Sequence, residues 1–217
     1  MKNVLPEVEL YLIRHAQTPY NATYDTADIK VGGRSNFLEL TDLGSEQAVR
    51  LGRVAREKGL LPDYVYASPA VRTLTTARLS LVAMQLDMEP QVEDDLQELS
   101  QGAYEGRPFK EVFNDAERER MRQMGKDHKL DGGESFREVG QRMFEWMTRT
   151  FDGSQPAGRR YFAYSHGNAI RCLIGHMYDL DRDEIYSQVV RNTSVSLFVQ
   201  QQGEWRMEYC GKDIEEA

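Results

Sequence analysis

Val8-Glu9-Leu10-Tyr11-Leu12-Ile13-Arg14-His15-Ala16-Gln17-Thr18 (VELYLIRHAQT) is the stretch whose reading decides the fold. Its first half is short, apolar and rich in strand formers, as suits a strand buried on both faces of a parallel sheet. It stops abruptly at Arg14-His15. Open α/β sheets bind ligands beyond the carboxyl ends of their strands, so a guanidinium and an imidazole are set side by side at the mouth of a pocket. Arg offers a planar fork of donors matched to phosphate oxygens. His can act as nucleophile, base or acid near neutral pH. A structural Arg–His pair at a strand end explains this segment equally well, and the rest of the chain has to decide.

Outward from Thr18, residues 19–36 make a polar loop rich in Asn, Thr, Asp and Gly, long enough to suggest a working segment. Thr41 caps a helix with Ala48, Leu51, Val54 and Ala55 on one face and Gly59 as its stop. Asp63–Ala67 reads as a second buried strand. Ser68-Pro69 then reads as a cap and first-turn proline of a helix carrying Arg72, with Leu74, Ala77, Leu81 and Met84 toward the sheet. A short third strand at Gln91-Val92 leads into the loop Asp94–Arg107, which holds Glu98. Pro108 starts a helix bearing Phe109, Val112, Phe113 and Ala116, and Arg118–Leu130 is a polar excursion; segment 99–133 is thus a candidate small cap. Gly132-Gly133-Glu134-Ser135 precedes an amphipathic helix whose stripe of Phe136, Val139, Met143, Phe144, Met147 and Phe151 is core. Arg160–Tyr164 is a further strand, ending at Ser165-His166-Gly167, with a helix from Asn168. Two runs, Ser194–Gln200 and Glu204–Tyr209, are joined at Gln202-Gly203. The alternation predicts an α/β three-layer sandwich, a mostly parallel central sheet with helices on both faces, as one domain over 1–217.

Composition narrows the function. With 217 residues, 40% hydrophobic and 29% charged, the chain is an ordinary globular domain. A net charge of -8 argues against nucleic acid as a partner, since that binding needs clustered Lys and Arg. Cys172 and Cys210 form no CxxC pattern and read as free thiols in a reducing compartment. The start, MKNVLPEVEL, lacks the unbroken apolar core of a signal peptide, and no stretch nears the roughly 20 apolar residues needed to cross a bilayer. A cytoplasmic protein without a membrane partner is expected. No His/Cys/Asp spacing typical of a metal site occurs, and His128 and His176 read as ordinary surface or helix histidines. Glu105 reads as a loop residue.

Polar groups of one character fall at successive strand ends: Arg14 and His15, then Arg72, Glu98 and His166. In a doubly wound sheet these ends share one edge. Two fixed cations and two imidazoles suit a phosphoryl group, and one carboxylate beside them suits a general acid. RHAQT at 14–18 resembles the RHGxT signature of the histidine phosphatase superfamily, the branch that includes phosphoglycerate mutases. LTDLG at 40–44, SPAVRTLTTA at 68–77, LQELSQGAYEG at 96–106, GGES at 132–135 and SHGN at 165–168 resemble further blocks of that family in its usual order.

The resemblance implies His15 as the nucleophile that is phosphorylated, with Arg14, Arg72, His166 and Gly167 around the phosphoryl oxygens and Glu98 as proton donor. Asn21 matches a phosphate-pocket asparagine six residues after the nucleophile. Neither metal nor cofactor is called for, because arginines supply the charge, and the partner is a small phosphorylated substrate. Chemically, a neutral His15 needs one ring nitrogen held as a donor by an acceptor, and Glu98 needs a proton to hand to the leaving alkoxide, which asks for a raised pKa. Ala16 and Gln17 depart from the Gly and Glu usual after the nucleophile. The reading is a phosphatase hydrolysing small phosphomonoesters through phospho-His15. A phosphoglycerate-mutase-type phosphotransferase stays open, as does a phosphate-binding domain that has lost turnover. Mutases of the family typically carry Glu-His-Tyr-Gly where this chain has Glu98-Leu99-Ser100-Gln101, which favours the phosphatase; Asn168 is shared with mutases.

Overall fold

The computed structural model describes residues 7–22 and 29–217. The first six residues, part of the start that lacks a signal-peptide core, and the centre of the polar loop at 23–28 lie outside the described residues.

The opening run forms strand β1 (Val8–Arg14), central in a six-stranded sheet of order β3-β2-β4-β1-β5-β6. β1 runs parallel to β4 (Arg159–Ser165), β4 parallel to β2 (Tyr64–Ala67), and β2 parallel to the edge strand β3 (Gln91–Val92). On its other side β1 pairs antiparallel with β5 (Val195–Gln201), which turns back into β6 (Glu204–Lys212). That turn has positive φ at both Gln202 (55°) and Gly203 (78°), the sense that matches the twist of the flanking strands.

Alternation along β1 divides the core. Leu10 and Leu12 face one layer, with Val139, Met143 and Trp146 of α6 (Phe136–Thr150) and Ile170 and Leu173 of α7 (Gly167–Met177). Tyr11 and Ile13 face the other, with Leu51 and Ala55 of α2 (Asp42–Glu57) and Ala77 and Leu81 of α3 (Val71–Met84). Both sides of the strand are thus covered, as its apolar run required. Thr41 caps α2 by accepting from Gly44 N at 3.0 Å, and Ser135 with Glu138 forms a capping box on α6.

Three local expectations are corrected. Helix α3 begins at Val71 and not at Pro69; its N-cap is Ala70, without a side-chain cap bond. The helix expected from Pro108 breaks after α4 (Phe109–Val112). Asn114 then accepts from Glu117 N at 3.1 Å and starts α5 (Asp115–Met124), so much of the polar excursion is helical. His128, read as an ordinary surface or helix residue, is 4% exposed, with Nε2 2.6 Å from Glu117 Oε1. Val31, Val112, Phe113 and Leu130 form a separate apolar cluster under this region. The polar loop opens with one helical turn, α1 (Pro19–Ala22), and α8 (Arg182–Ser187) follows α7. Among the described residues no helix is long and apolar enough to cross a membrane.

Candidate active site

At the carboxyl end of β1 the chain leaves the sheet in a turn pinned from several directions. His15 N donates to Ser165 O (3.0 Å), Ala16 N to Thr76 Oγ1 (3.0 Å) and Gln17 N to Gln47 Oε1 (2.9 Å). The His15 side chain is 4% exposed, and its Nδ1 lies 2.7 Å from the carbonyl of Ala16. A carbonyl can only accept, so Nδ1 carries the proton and the lone pair sits on Nε2. Burial, then the charges of Arg72 and Arg14, hold the imidazole pKa well below its ordinary 6.5. A neutral ring with a fixed tautomer results, which is the state a nitrogen nucleophile needs.

Arg72, in the first turn of α3, is buried. Its Nη1 donates to Arg34 O (2.9 Å) and Ser35 O (3.0 Å), and its Nη2 to Gly33 O (3.2 Å) and to His166 Nδ1 (3.0 Å). Burial pulls the guanidinium down to about 10 against the opposing pull of Glu98 and Glu105, so it stays charged at neutral pH. His166 sits at the carboxyl end of β4, fully buried, its ring centroid 5.2 Å from that of His15. Since Nδ1 accepts from Arg72, the neutral ring carries its proton on Nε2, which donates to Ser68 Oγ at 2.8 Å. That contact gives Ser68 a partner in place of the helix it was expected to cap. Burial first, then Arg72, His15, Arg142 and Arg14, hold the His166 pKa well below 6.5.

Arg14 Nη1 donates to Val190 O at 2.7 Å. A Cβ on Gly167 would come within 3.3 Å of Arg14 Nε, so glycine there lets the start of α7 lie against the guanidinium. Asn21 Oδ1 accepts from Thr18 N (3.2 Å), Thr18 Oγ1 (3.1 Å) and Asn192 Nδ2 (3.2 Å), which fixes the orientation of its amide.

Glu98, 9% exposed, lies against the N-terminus of α7. Its Oε1 accepts from Leu99 N (2.8 Å) and Ala169 N (3.0 Å), and its Oε2 from Asn168 N (3.2 Å). The carboxylate therefore caps a helix, and its charge supports that of Arg72. Arg142 of α6 holds the preceding loop by donating to the carbonyls of Asp95 (2.6 Å), Gln97 (2.9 Å) and Glu98 (3.2 Å), and its Nε donates to Glu134 Oε1 (2.9 Å).

Residues read otherwise or passed over in the sequence take part here. Glu105 is no simple loop residue: it accepts from the amides of Arg34 (2.9 Å), Ser35 (2.8 Å) and Gln101 (3.1 Å). Asn192 donates to the His15 carbonyl (2.9 Å) and to Asn21. Among the described residues, no three or more His, Cys, Asp or Glu side chains are grouped so as to hold a metal ion. The fixed cations of the site are Arg14 and Arg72, so the arrangement can draw in a tetrahedral anion and present a neutral imidazole to it.

Comparison with known proteins bears on the family and the fold. The family model described as histidine phosphatase superfamily (branch 1) matches residues 10–213. A relative in Salmonella paratyphi B, named "Probable phosphoglycerate mutase GpmB", is 28% identical over 200 residues, covering 91% of this chain and 87% of the relative. The native mycobacterial glucosyl-3-phosphoglycerate phosphatase superposes with a TM-score of 0.79 at 22% identity, over 94% of this chain and 99% of that one. Phosphoserine phosphatase from Entamoeba histolytica, in complex with 3-phosphoglyceric acid, gives 0.77 at 22% identity, over 94% and 97%.

Proposed function

Because the chain belongs to the histidine phosphatase superfamily, branch 1, we propose that it is a phosphoric monoester hydrolase acting through phospho-His15. The observation that carries this reading is the His15 tautomer. With Nδ1–H given to the Ala16 carbonyl, Nε2 holds an unshared pair beside two arginines and a second imidazole.

In the first step His15 Nε2 attacks phosphorus, forming the N–P bond as the ester P–O bond breaks. Arg14 and Arg72, with the Asn21 amide and the backbone at Gly167, meet the charge on the equatorial oxygens, where phosphoryl transfer needs most of its help, and His166 joins them by turning its Nε2–H from Ser68 to an oxygen. Glu98 hands a proton to the leaving alkoxide. Its Oε2, with one contact at 3.2 Å, is the oxygen that would carry that proton. In the second step water attacks phosphorus, the N–P bond breaks, and Glu98 takes the proton from the water.

The substrate we infer is a small phosphorylated metabolite, in keeping with the phosphoserine and glucosyl-3-phosphoglycerate named for the structural neighbours. Residues 1–217 act as one catalytic unit, with 99–133 as a cap over the leaving group. Its two free cysteines suit a cytoplasmic setting. Transfer between two positions of a phosphoglycerate is the second reading, favoured by Asn168 and by the name of the Salmonella relative. The run Leu99-Ser100-Gln101 after Glu98 favours hydrolysis. A panel of phosphorylated metabolites distinguishes them. Hydrolysis releases inorganic phosphate from several members and His15→Ala abolishes it; transfer without phosphate release would select the mutase.

A further inference from the structure

We propose that Glu105 is a positioning residue for Arg72, acting through the peptide run Gly33-Arg34-Ser35. The proposal rests on the phosphoryl-binding role assigned above to Arg72.

The run is gripped from two sides. Its three carbonyls, Gly33 O, Arg34 O and Ser35 O, all accept from the Arg72 guanidinium at 2.9–3.2 Å. Its amides turn to Glu105: Arg34 N donates to Oε1 (2.9 Å), and Ser35 N (2.8 Å) and Ser35 Oγ (3.2 Å) donate to Oε2. Gln101 N adds a further donor to Oε1 at 3.1 Å. Neighbouring backbone zips the same two segments together, with Gly106 N donating to Val31 O and Val31 N to Arg107 O, each at 2.9 Å. Gly33 has φ of +128°, and a Cβ there would meet Glu105 Oε1 at 2.4 Å, so an alanine would strain the backbone and push the carboxylate from its place.

This geometry gives Glu105 a specific task. Arg72 sits on a helix, but its flexible side chain is aimed by the three carbonyls, and those carbonyls are aimed by the carboxylate behind them. Four donors converge on two oxygens, a load that an acceptor-only carboxylate carries and an amide cannot. In Glu105→Gln the new NH2 would face backbone N–H groups, and the run would have to shift. Its charge, with that of Glu98, also offsets part of the pull that burial exerts on the Arg72 guanidinium. A displacement of about 1 Å in a charge-stabilising group costs on the order of 10²-fold in rate.

A double-mutant cycle over Glu105→Gln and Arg72→Ala tests this. Single-turnover rates on an alkyl phosphate and on p-nitrophenyl phosphate, and the affinity for inorganic phosphate, are the readouts. In the wild-type background Glu105→Gln should lower both rates about 10²-fold, equally for the two leaving groups, and weaken phosphate binding in parallel. In the Arg72→Ala background it should cost less than about threefold, because the group it aims is gone. Glu105→Asp should recover part of the loss, and Gly33→Ala, which attacks the contact from the other side, should reproduce it. Equal losses in both backgrounds, or wild-type rates in Glu105→Gln, would overturn the proposal. Should Glu105→Gln fail to fold, the same cycle with Gly33→Ala decides in the same way. A wild-type protein that neither binds phosphate nor turns over any monoester would instead refute the phosphatase reading.

Discussion

Arg72 and His166, 94 positions apart in the sequence, meet at 3.0 Å with Nη2 donating to Nδ1. That one bond sets the tautomer of the second imidazole, and it is opposite to that of the first: His15 is protonated on Nδ1, His166 on Nε2. Long-range proton–nitrogen correlation of the imidazoles in the ligand-free protein should show two neutral rings of opposite tautomer. Two rings of the same tautomer would contradict the assignment. Ser68→Ala removes the acceptor of the buried His166 Nε2–H, and leaving such a donor unmet costs about 1–3 kcal/mol. Denaturant unfolding should register that loss.

The two imidazoles also make stability depend on pH. Both titrate well below 6.5 when folded, while in the unfolded chain they titrate near 6.5. Between those values the unfolded chain binds more protons, so stability rises with pH and is lost as pH falls below about 6.5. Each ring contributes at most about 1.4 kcal/mol per pH unit. His176, lowered by partial burial, adds in the same direction. Urea unfolding between pH 7 and 5.5 should show a clear decline, and a His15→Asn, His166→Asn double variant should flatten much of it. An unchanged slope in that variant would mean that other groups govern the dependence.

Glu98 should reveal itself through the leaving group. An alkyl phosphate departs as a strongly basic alkoxide, for which general acid help is worth about 10²–10⁴, whereas a nitrophenolate leaves unaided. Glu98→Gln should therefore lose far more single-turnover rate on an alkyl phosphate than on p-nitrophenyl phosphate. Because the carboxylate also caps α7 through Asn168 N and Ala169 N, Glu98→Ala should in addition lose about 1 kcal/mol of stability. Equal rate losses on both substrates would reduce Glu98 to a capping and binding role.

The layers of the fold could be read because β1, β2 and β4 are short apolar runs between amphipathic helices, and such runs have few other places to go. The approach of His15, Arg72 and His166 to one another was legible for a related reason: His15 and His166 directly follow the carboxyl ends of β1 and β4, and Arg72 lies in the first turn of the helix after β2. The bracing around them was not. Ser68 before Pro69 has the local form of a helix cap, but its hydroxyl goes to a histidine from another strand, 98 positions away. Glu105 looks like a solvated loop carboxylate until the run at 33–35 docks on it across about 70 positions. Asn192 and Arg142 likewise act on carbonyls distant in sequence. Gly33, where an added Cβ would meet the Glu105 carboxylate, was the available signal that the two segments approach closely here.

The central claim is that His15 carries the phosphoryl group. Rapid quenching of the wild-type protein with a labelled phosphomonoester, followed by acid-sensitive mapping, should place one label on Nε2 of His15, the nitrogen not held by Ala16. His15→Ala should take no label and lose turnover. Label on any other residue, or turnover by His15→Ala at the wild-type rate, would contradict the account.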